Sequence, residues 1–345
     1  ATKHLVTVRS TGEPTHVALP TGTSVWPDSL RFDPVSKKLV IDLRSWTHTP
    51  TWFTLARGKG IAEPIPLAGS PSPPGADAYD VRTIEAPARD GERIPITVVA
   101  PKNQGSAPPK FVWVGAYGSY GTVFGPYFTV PRRVFLESGG TYVFAHVRGG
   151  GEKGRMWHQQ ARGPTKIKTV EDLIDSLKFL RDAGFGTGGG VFLAAGSAGG
   201  IPVGGLLVRQ PELVDAVYVD SGVLNVSRLE AASAIGVLHK DEFGTNDTPE
   251  GARHLQEIDA YLNIQDGHRY PPTLLHAATH DVRVPRWQSS KFAARLQQAG
   301  AGAQPTILRL TGGGHINGGT ADEDAQLEAE ILTFALANIK HAEFQ

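Results

Sequence analysis

The chain has 345 residues, of which 40% are hydrophobic and 20% charged, and this suits a globular protein with one large domain or one domain and a smaller piece. Its 34 basic and 34 acidic residues give no net charge, which argues against a nucleic-acid or anionic-membrane binder, and its apolar runs are too short for a membrane span. The lack of cysteine excludes disulfides, thiolate catalysis and cysteine-based metal sites.

The N-terminus reads ATKHLVTVRS, with no initiator Met and no signal peptide. We therefore expect a chain that was trimmed, processed or excised from a longer one. The sequence leaves cytoplasmic, periplasmic and secreted locations open.

The first part of the chain has the texture of a β structure. Short alternating runs at 38–43 and 52–56 lie between turn signals and predict strands. The segment 68–80 is dense in Pro, Gly and Ser, which is typical of a linker. The sequence thus predicts a β-rich segment over 1–80 and a second domain over 81–345.

The clearest helix is predicted at 169–185, where apolar residues recur at helical spacing. These residues are Val170, Leu173, Ile174, Leu177 and Leu180. We predict Thr169 as the N-cap, with Asp172 completing a capping box. Gly184 and Gly186 are placed to end the helix.

Strands and helices alternate through the rest of the chain. Strands are predicted at 93–100, 110–114, 141–147, 190–195, 214–219, 273–279 and 306–310, and further helices from the serine turn to 209, at 286–299 and at 322–340. Such alternation predicts an α/β fold, a mostly parallel sheet covered by helices.

One serine, Ser197, stands among glycines directly after an apolar run, in 191-VFLAAGSAGG-200. A sharp strand-to-helix turn can hold such a serine out toward a substrate, and it needs small neighbours such as Gly196 and Gly199. The usual pattern is G-x-S-x-G, and here Ala195 replaces the first glycine. Two other interpretations stay open, a turn used only for packing and a phosphate-binding loop, although the spacing of known phosphate motifs is missing.

A serine nucleophile needs a base and an acid that orients the base. In α/β-hydrolases the acid and then the histidine follow the serine, each on a loop after a later strand. Asp281 directly follows the predicted strand 273–279, and His315 lies in a glycine-rich loop after the strand 306–310. Asp281 could instead cap the turn before Pro285, and His315 could lie in a surface loop. His280 should point away from its neighbour, and we interpret it as structural.

Several motifs together resemble the prolyl oligopeptidase family of serine peptidases. They are 115-GAYGSYG-121, 147-VRGGGEKGRMWH-158, 196-GSAGG-200, 279-THDVRV-284 and 314-GHING-318. The resemblance extends from about residue 80 to the end of the chain. It implies an α/β-hydrolase catalytic domain joined to a β-propeller, of which residues 1–80 resemble only the last part. A separate N-terminal propeller chain is then a candidate partner.

The resemblance also implies roles for individual residues. Ser197 is expected to be the nucleophile, His315 the general base and Asp281 the residue that orients it. Tyr117, with the backbone N–H of Ala198, is expected to stabilise the oxyanion. The alternative for Tyr117 is a core aromatic at a strand end.

Substrate-binding residues are less well marked. The resemblance implies that Arg283 holds a substrate carbonyl, although a salt bridge with a nearby acid is the alternative. His254 falls near the position of the tryptophan that binds proline in other members, which argues against strict cleavage after proline. Glu242 could bind a basic side chain or a free amine, or be a solvated acid. Asn225 and Arg228 are candidates for lining the site.

The leading hypothesis is amide hydrolysis in short peptides through an acyl-enzyme. An esterase or an isopeptide hydrolase on the same three residues is the first alternative, and a non-catalytic binding subunit is the second. No metal-ligand spacing is visible, and the expected reaction needs no cofactor.

Overall fold

The computed structural model describes residues 6–7, 15–19, 22–25, 30–56, 62–65, 72–105, 107–233, 235–300, 304–315 and 319–339 of the chain. Within these ranges no helix combines the length and the apolar character that crossing a membrane requires.

The described part of the first 65 residues consists of short antiparallel strands. They are β1 (Val6–Thr7), β2 (Thr15–His16), β3 (Ser24–Val25), β4 (Arg31–Asp33), β5 (Lys38–Arg44), β6 (Thr51–Ala56) and β7 (Glu63–Pro64). β1 pairs with β2, whereas β3 to β7 form a separate sheet around β5. Ile41, Leu43, Phe53 and Leu55 form the core of that sheet, as the alternating pattern predicts.

The rest of the chain is built on one eight-stranded sheet. Its strands are β8 (Tyr79–Pro87), β9 (Arg93–Pro101), β10 (Phe111–Ala116), β11 (Thr141–Ala145), β12 (Gly190–Gly196), β13 (Ala216–Asp220), β14 (Thr273–Ala278) and β15 (Thr306–Thr311). Their order is β15-β14-β13-β12-β10-β11-β9-β8. The six strands from β10 to β15 are parallel, and β8 and β9 are antiparallel. This mostly parallel sheet confirms the predicted fold class.

Helices cover both faces of this sheet. They are α1 (Val130–Glu137), α2 (Arg155–Gln159), α3 (Ile167–Asp182), α4 (Gly200–Arg209), α5 (Leu229–Ala232), α6 (Lys240–Phe243), α7 (Pro249–Ile258), α8 (Trp287–Ala299) and α9 (Ala321–Asn338). α3, α4 and α8 belong to the larger core cluster, while α1 and α9 pack on the other face. α3 and α4 approach closely at Gly205, which has no side chain. A Cβ added there would lie 2.7 Å from a Val170 methyl group.

The start of α3 differs from the capping box that the sequence predicts. The helix begins at Ile167, and the Thr169 hydroxyl lies inside it, donating to the backbone oxygen of Arg148 at 2.9 Å. Asp172 is buried and pairs with Arg148 at 2.6 Å. The predicted N-cap is therefore wrong, because contacts with a distant loop engage both side chains. The helix ends before Gly184, whose φ is +84°, as predicted.

Several elements lie where the sequence predicted none, among them β8 and α1. β8 begins at Tyr79, inside the predicted linker 68–80, of which residues 68–71 lie outside the described part. As an edge strand paired only with β9, β8 carries mostly half-exposed or exposed residues and a weak apolar pattern. The sequence did not predict α1, because Arg132 and Arg133 are buried on it and charged residues on the buried face hide the amphipathic pattern of the helix.

Candidate active site

Ser197 stands at the turn between β12 and α4. Its φ is +55°, a left-handed backbone that is rare for residues other than glycine and costs on the order of 1–3 kcal/mol. The backbone oxygen of Ser197 accepts a hydrogen bond from the N–H of Val223 at 2.9 Å, which ties the turn to the loop after β13. The strain thus marks the serine that the glycine pattern singled out.

The glycines after the serine are required by close approach of the backbone. A Cβ added at Gly199 would lie 2.9 Å from that of Ala195 and 3.0 Å from the backbone oxygen of Ala116. A Cβ at Gly200 would lie 2.7 Å from the backbone nitrogen of Val223. The turn fits between β10 and the loop after β13 only because these side chains are absent.

The structure brings Ser197, His315 and Asp281 together. His315 follows β15, and its Nε2 lies 2.9 Å from Ser197 Oγ. Its Nδ1 lies 2.6 Å from Asp281 Oδ2. Residues 316–318 of the predicted loop 314–318 lie outside the described part. The three side chains form one continuous chain of hydrogen bonds.

Asp281 is held firmly at the end of β14. Its side chain is fully buried, and its Oδ1 accepts hydrogen bonds from the N–H groups of Arg283 and Val284 at 2.8 and 2.9 Å. These bonds leave Oδ2 to accept from Nδ1 of His315. A carboxylate fixed in this way selects the imidazole tautomer whose Nε2 lone pair faces the serine.

Tyr117 and Ala198 flank the serine. Burial raises the pKa of Tyr117, and a hydrogen bond with Ser197 lowers it by less. The phenol therefore keeps its proton to a higher pH than an ordinary tyrosine does. Ala198 lies in the first turn after the serine, where N–H groups have no partner within the helix. Both groups are available as donors next to Ser197 Oγ.

Arg283 is exposed beside this site. Burial raises the pKa of the Tyr117 phenol, and the charge of Arg283 opposes that shift. In the described part of the chain its side chain forms no ion pair, so the alternative of a salt bridge finds no support.

A buried ionic network, which the sequence did not reveal, lies under the Tyr117 loop. Lys166 is almost completely buried, and its Nζ donates to the backbone oxygen of Gly118 at 2.7 Å and to Glu242 at 2.8 Å. Glu242 also accepts from the N–H of Tyr120 at 2.9 Å and contacts His158 Nε2 at 2.7 Å. The network anchors the loop that carries Tyr117.

The network also sets the charge of Glu242. Burial raises its pKa, but Lys166, His158 and the N–H of Tyr120 more than offset this, so the pKa of Glu242 lies below its ordinary value. Burial lowers the pKa of Lys166, and Glu242 opposes that shift. The structure therefore does not support the expectation that Glu242 binds a substrate amine, because its carboxylate is already paired inside the protein.

The remaining specificity candidates lie away from the serine. His254 is on α7 and lines a separate cavity of about 460 Å³. Asn225 is fully buried, hydrogen-bonded to Asp259 and Lys291 at 2.7 Å each. Arg228 is exposed at the end of the same loop. None of these three residues lines the cavity at Ser197.

The turn at Arg148, within the motif 147–158, has a structural role. Arg148 is buried and paired with Asp172 and Asp90 at 2.6 Å each. Glu152 accepts a hydrogen bond from the N–H of Phe124 at 3.0 Å. The turn thereby joins loops around the site without reaching the serine.

A cavity of about 350 Å³ opens at Ser197, and a second one of about 610 Å³ adjoins it. The first is lined by aromatic rings, among them Trp113, Tyr117, Phe124 and Tyr142. His315 lines both cavities. A substrate group could therefore lie against the serine on an apolar wall.

Comparison with known proteins agrees with the motifs. The model of the prolyl oligopeptidase family matches residues 126–342. The chain is 31% identical over 274 residues to the dipeptidyl aminopeptidase BI of Pseudoxanthomonas mexicana and 27% identical over 302 residues to the prolyl endopeptidase of Elizabethkingia miricola. These matches cover 76% and 87% of this chain but 37% and 42% of those relatives, so the chain spans less than half of their length.

Solved structures show the same fold at low identity. The chain matches a prolyl endopeptidase with a TM-score of 0.88 and 22% identity, over 99% of this chain and 50% of the other. It matches oligopeptidase B from Leishmania major with a TM-score of 0.84 and 22% identity, over 94% of this chain and 46% of the other.

Breaking the buried ion pair should destabilise the protein more than removing both charges. We expect K166M to lose about 3–5 kcal/mol of unfolding free energy, because Glu242 is then left buried without its cation. The double variant K166M/E242Q should recover part of this loss, giving a coupling of about 0.5–3 kcal/mol in urea unfolding.

Lys38→Met is the matched control, because Lys38 pairs with the largely exposed Glu63 and its loss should cost under about 1 kcal/mol. Equal losses in K166M and in this control would contradict a buried pair. The pKa of Glu242 lies below its ordinary value in the fold, so its contribution is present at neutral pH and is lost as pH falls.

Proposed function

The chain belongs to the prolyl oligopeptidase family, and from this we propose that it hydrolyses amide bonds of short peptides through an acyl-enzyme on Ser197. The observation that carries the proposal is the hydrogen-bonded chain Asp281–His315–Ser197, with contacts of 2.6 and 2.9 Å. A serine hydroxyl reacts at neutral pH only when a base takes its proton, and this geometry supplies the base and its orienting acid.

Attack begins with a proton transfer. His315 Nε2 accepts the proton of Ser197 while Oγ forms a bond to the carbonyl carbon of the peptide. The carbonyl π electrons move to the oxygen, which becomes an oxyanion. Asp281 stabilises the imidazolium through the Nδ1–H bond and does not itself take the proton.

Two donors are proposed to stabilise the oxyanion. The Tyr117 phenol is hydrogen-bonded to Ser197, and Ala198 directly follows Ser197 in the turn. Donors fixed in place in a partly buried site favour the transition state, in which the charge develops.

Collapse of the intermediate releases the amine. The C–N bond breaks, and the imidazolium of His315 gives its proton to the departing nitrogen. Water then attacks the acyl-enzyme with His315 again as the base, which frees the acid and restores the Ser197 hydroxyl. Arg283, exposed and without an ion pair in the described part, is proposed to hold a backbone carbonyl of the peptide.

We propose that cleavage is not restricted to bonds after proline. His254, which the resemblance puts near the family's tryptophan position, lines a cavity separate from the one at Ser197. It therefore supplies no flat aromatic surface for a proline ring at the serine.

We also propose that residues 1–80 are the end of a β-propeller. The antiparallel sheet β3 to β7 supports this, since propeller blades are small antiparallel sheets. A propeller completed by further residues, in the same or a separate chain, would screen the site and favour short peptides.

Ser197→Ala should abolish peptide turnover and leave folding intact, because only the hydroxyl is removed. Turnover of a peptide p-nitroanilide and labelling by a fluorophosphonate probe are the measurements. Asp266→Asn, in a mostly exposed side chain paired with Arg295, is the control and should keep full activity. Turnover by S197A at the native rate would eliminate Ser197 as the nucleophile, and a native protein that takes no label would favour a binding subunit.

Tyr117→Phe should lower kcat by about 100- to 1,000-fold with little change in KM, because one oxyanion donor is lost. Since burial raises the pKa of Tyr117, the deficit should be constant between about pH 6 and 9. Phe124→Leu, which alters the packing of the same ring without removing a donor, is the control. A deficit of the same size in both variants would assign Tyr117 to packing.

A matched pair of substrates separates the peptidase from the esterase. We expect acyl-peptide p-nitroanilides to be hydrolysed as well as the corresponding p-nitrophenyl esters, because His315 can protonate an amine leaving group. Hydrolysis of the esters alone, measured by release of the chromophore, would reject the peptidase and support the esterase.

A further inference from the structure

Asp220 is an acidic residue beside the nucleophile that the reaction does not use. It ends β13, and in the sheet register it pairs with Gly196, the residue before Ser197. Its Cβ would lie 3.3 Å from a Cβ added at Gly196, so its side chain leaves the sheet on the face that borders the serine cavity. Asp220 lines both this cavity and the adjoining one.

A buried histidine holds this carboxylate in position. His276 Nδ1 lies 2.6 Å from Asp220 Oδ1, and His276 Nε2 lies 2.8 Å from the Thr311 hydroxyl. With both ring nitrogens engaged, the imidazole cannot rotate, and Oδ1 is fixed. The Thr311 hydroxyl can donate to Nε2, and in that tautomer Nδ1 carries the proton and donates to Asp220.

The carboxylate still faces open space. The His276 side chain is 8% exposed, whereas the Asp220 side chain is 48% exposed. Within the described residues, Oδ2 of Asp220 has no hydrogen bond or ion pair. One charged acceptor is therefore oriented by the protein and left available at the catalytic cavity.

Carboxylates outnumber guanidinium groups around the two cavities, four to two, and in the serine cavity itself Asp220 faces one arginine, Arg132. Arg132 also lines both cavities, but its guanidinium stacks on Tyr142, 4.0 Å from the ring centroid, and donates to the backbone oxygen of Tyr127. Arg309 pairs with Glu330 at 2.8 Å. Three more carboxylates line the adjoining cavity, those of Glu323, Asp324 and Glu328.

We propose that Asp220 is a specificity-determining residue that binds a protonated amine or a guanidinium of the peptide close to the scissile bond. This rests on the proposed peptidase function. The cation could be a lysine or arginine side chain or the free amino terminus, since each donates hydrogen bonds to a carboxylate. The role expected for Glu242 is thereby assigned to an acid whose second carboxylate oxygen, Oδ2, has no partner within the described residues.

The test compares peptides that differ only in one positive charge. N-acetylated hexapeptides carry lysine or its uncharged isostere norleucine at one position at a time around the cleaved bond, and a second set has a free amino terminus. We expect the native enzyme to prefer one cationic peptide by about tenfold or more in kcat/KM. Asp220→Asn should remove that preference and keep kcat/KM for norleucine peptides within about twofold.

Binding is measured separately from turnover. A fluorescent form of the preferred cationic peptide should bind S197A about tenfold more tightly than S197A/D220N, while the norleucine peptide binds both equally. Asp220→Ser repeats the comparison if the asparagine variant loses thermal stability, and Asp266→Asn is the charge-matched control away from the cavities.

The outcomes distinguish the two proposals. Native turnover without a preference for any cationic peptide, or an equal loss for cationic and norleucine peptides in D220N, would overturn the role of Asp220 and leave the peptidase standing. Absence of turnover by the native enzyme, with charge-dependent binding to S197A, would instead overturn the peptidase and retain the cation site. Preference for the free amino terminus or for a side chain identifies the source of the cation.

Discussion

Ser197 keeps its left-handed backbone because the chain around it leaves no room for another path. Gly199 and Gly200 lie against the backbone of β10 and of the loop after β13, and Val223 is hydrogen-bonded to the serine itself. The turn is therefore held between two elements, which fixes the backbone of Ser197. His315, on the loop after β15, can reach Oγ of Ser197, and Asp281, on the loop after β14, can reach His315, because parallel strands end at the same sheet edge.

The groups that would react were predictable from sequence, and those that support them were not. The nucleophile is recognisable as a serine among glycines. The acid and the histidine are recognisable because each comes just after a predicted strand. These patterns are local and can be read from the sequence alone. Lys166 and Glu242 carry none, because 76 residues separate them and only the packing of α6 against the loop before α3 pairs them. The same holds for Asp220 and His276, which meet across neighbouring strands.

The wrong or missing predictions about helices and about Glu242 have the same physical origin. The predicted capping box at Thr169 does not form, because the Thr169 hydroxyl donates to the buried backbone oxygen of Arg148 instead of capping the helix. α1 was missed because its buried arginines stack on aromatic rings, so charge on this helix does not mark a solvent face. Glu242 looked like a surface acid and is instead the centre of an ionic network. In each case a polar side chain is buried with a partner distant in sequence.

β15 is an edge strand of the sheet, and this affects the temperature at which activity is lost. Among the described strands β15 pairs with β14 alone, and Ile307 and Leu310 on it are partly exposed to solvent. Edge strands open locally at a lower free-energy cost than central strands do. Since His315 follows β15 directly, fraying there would withdraw the imidazole while β12 and the nucleophile kept their shape, so inactivation would precede the melting of the helices.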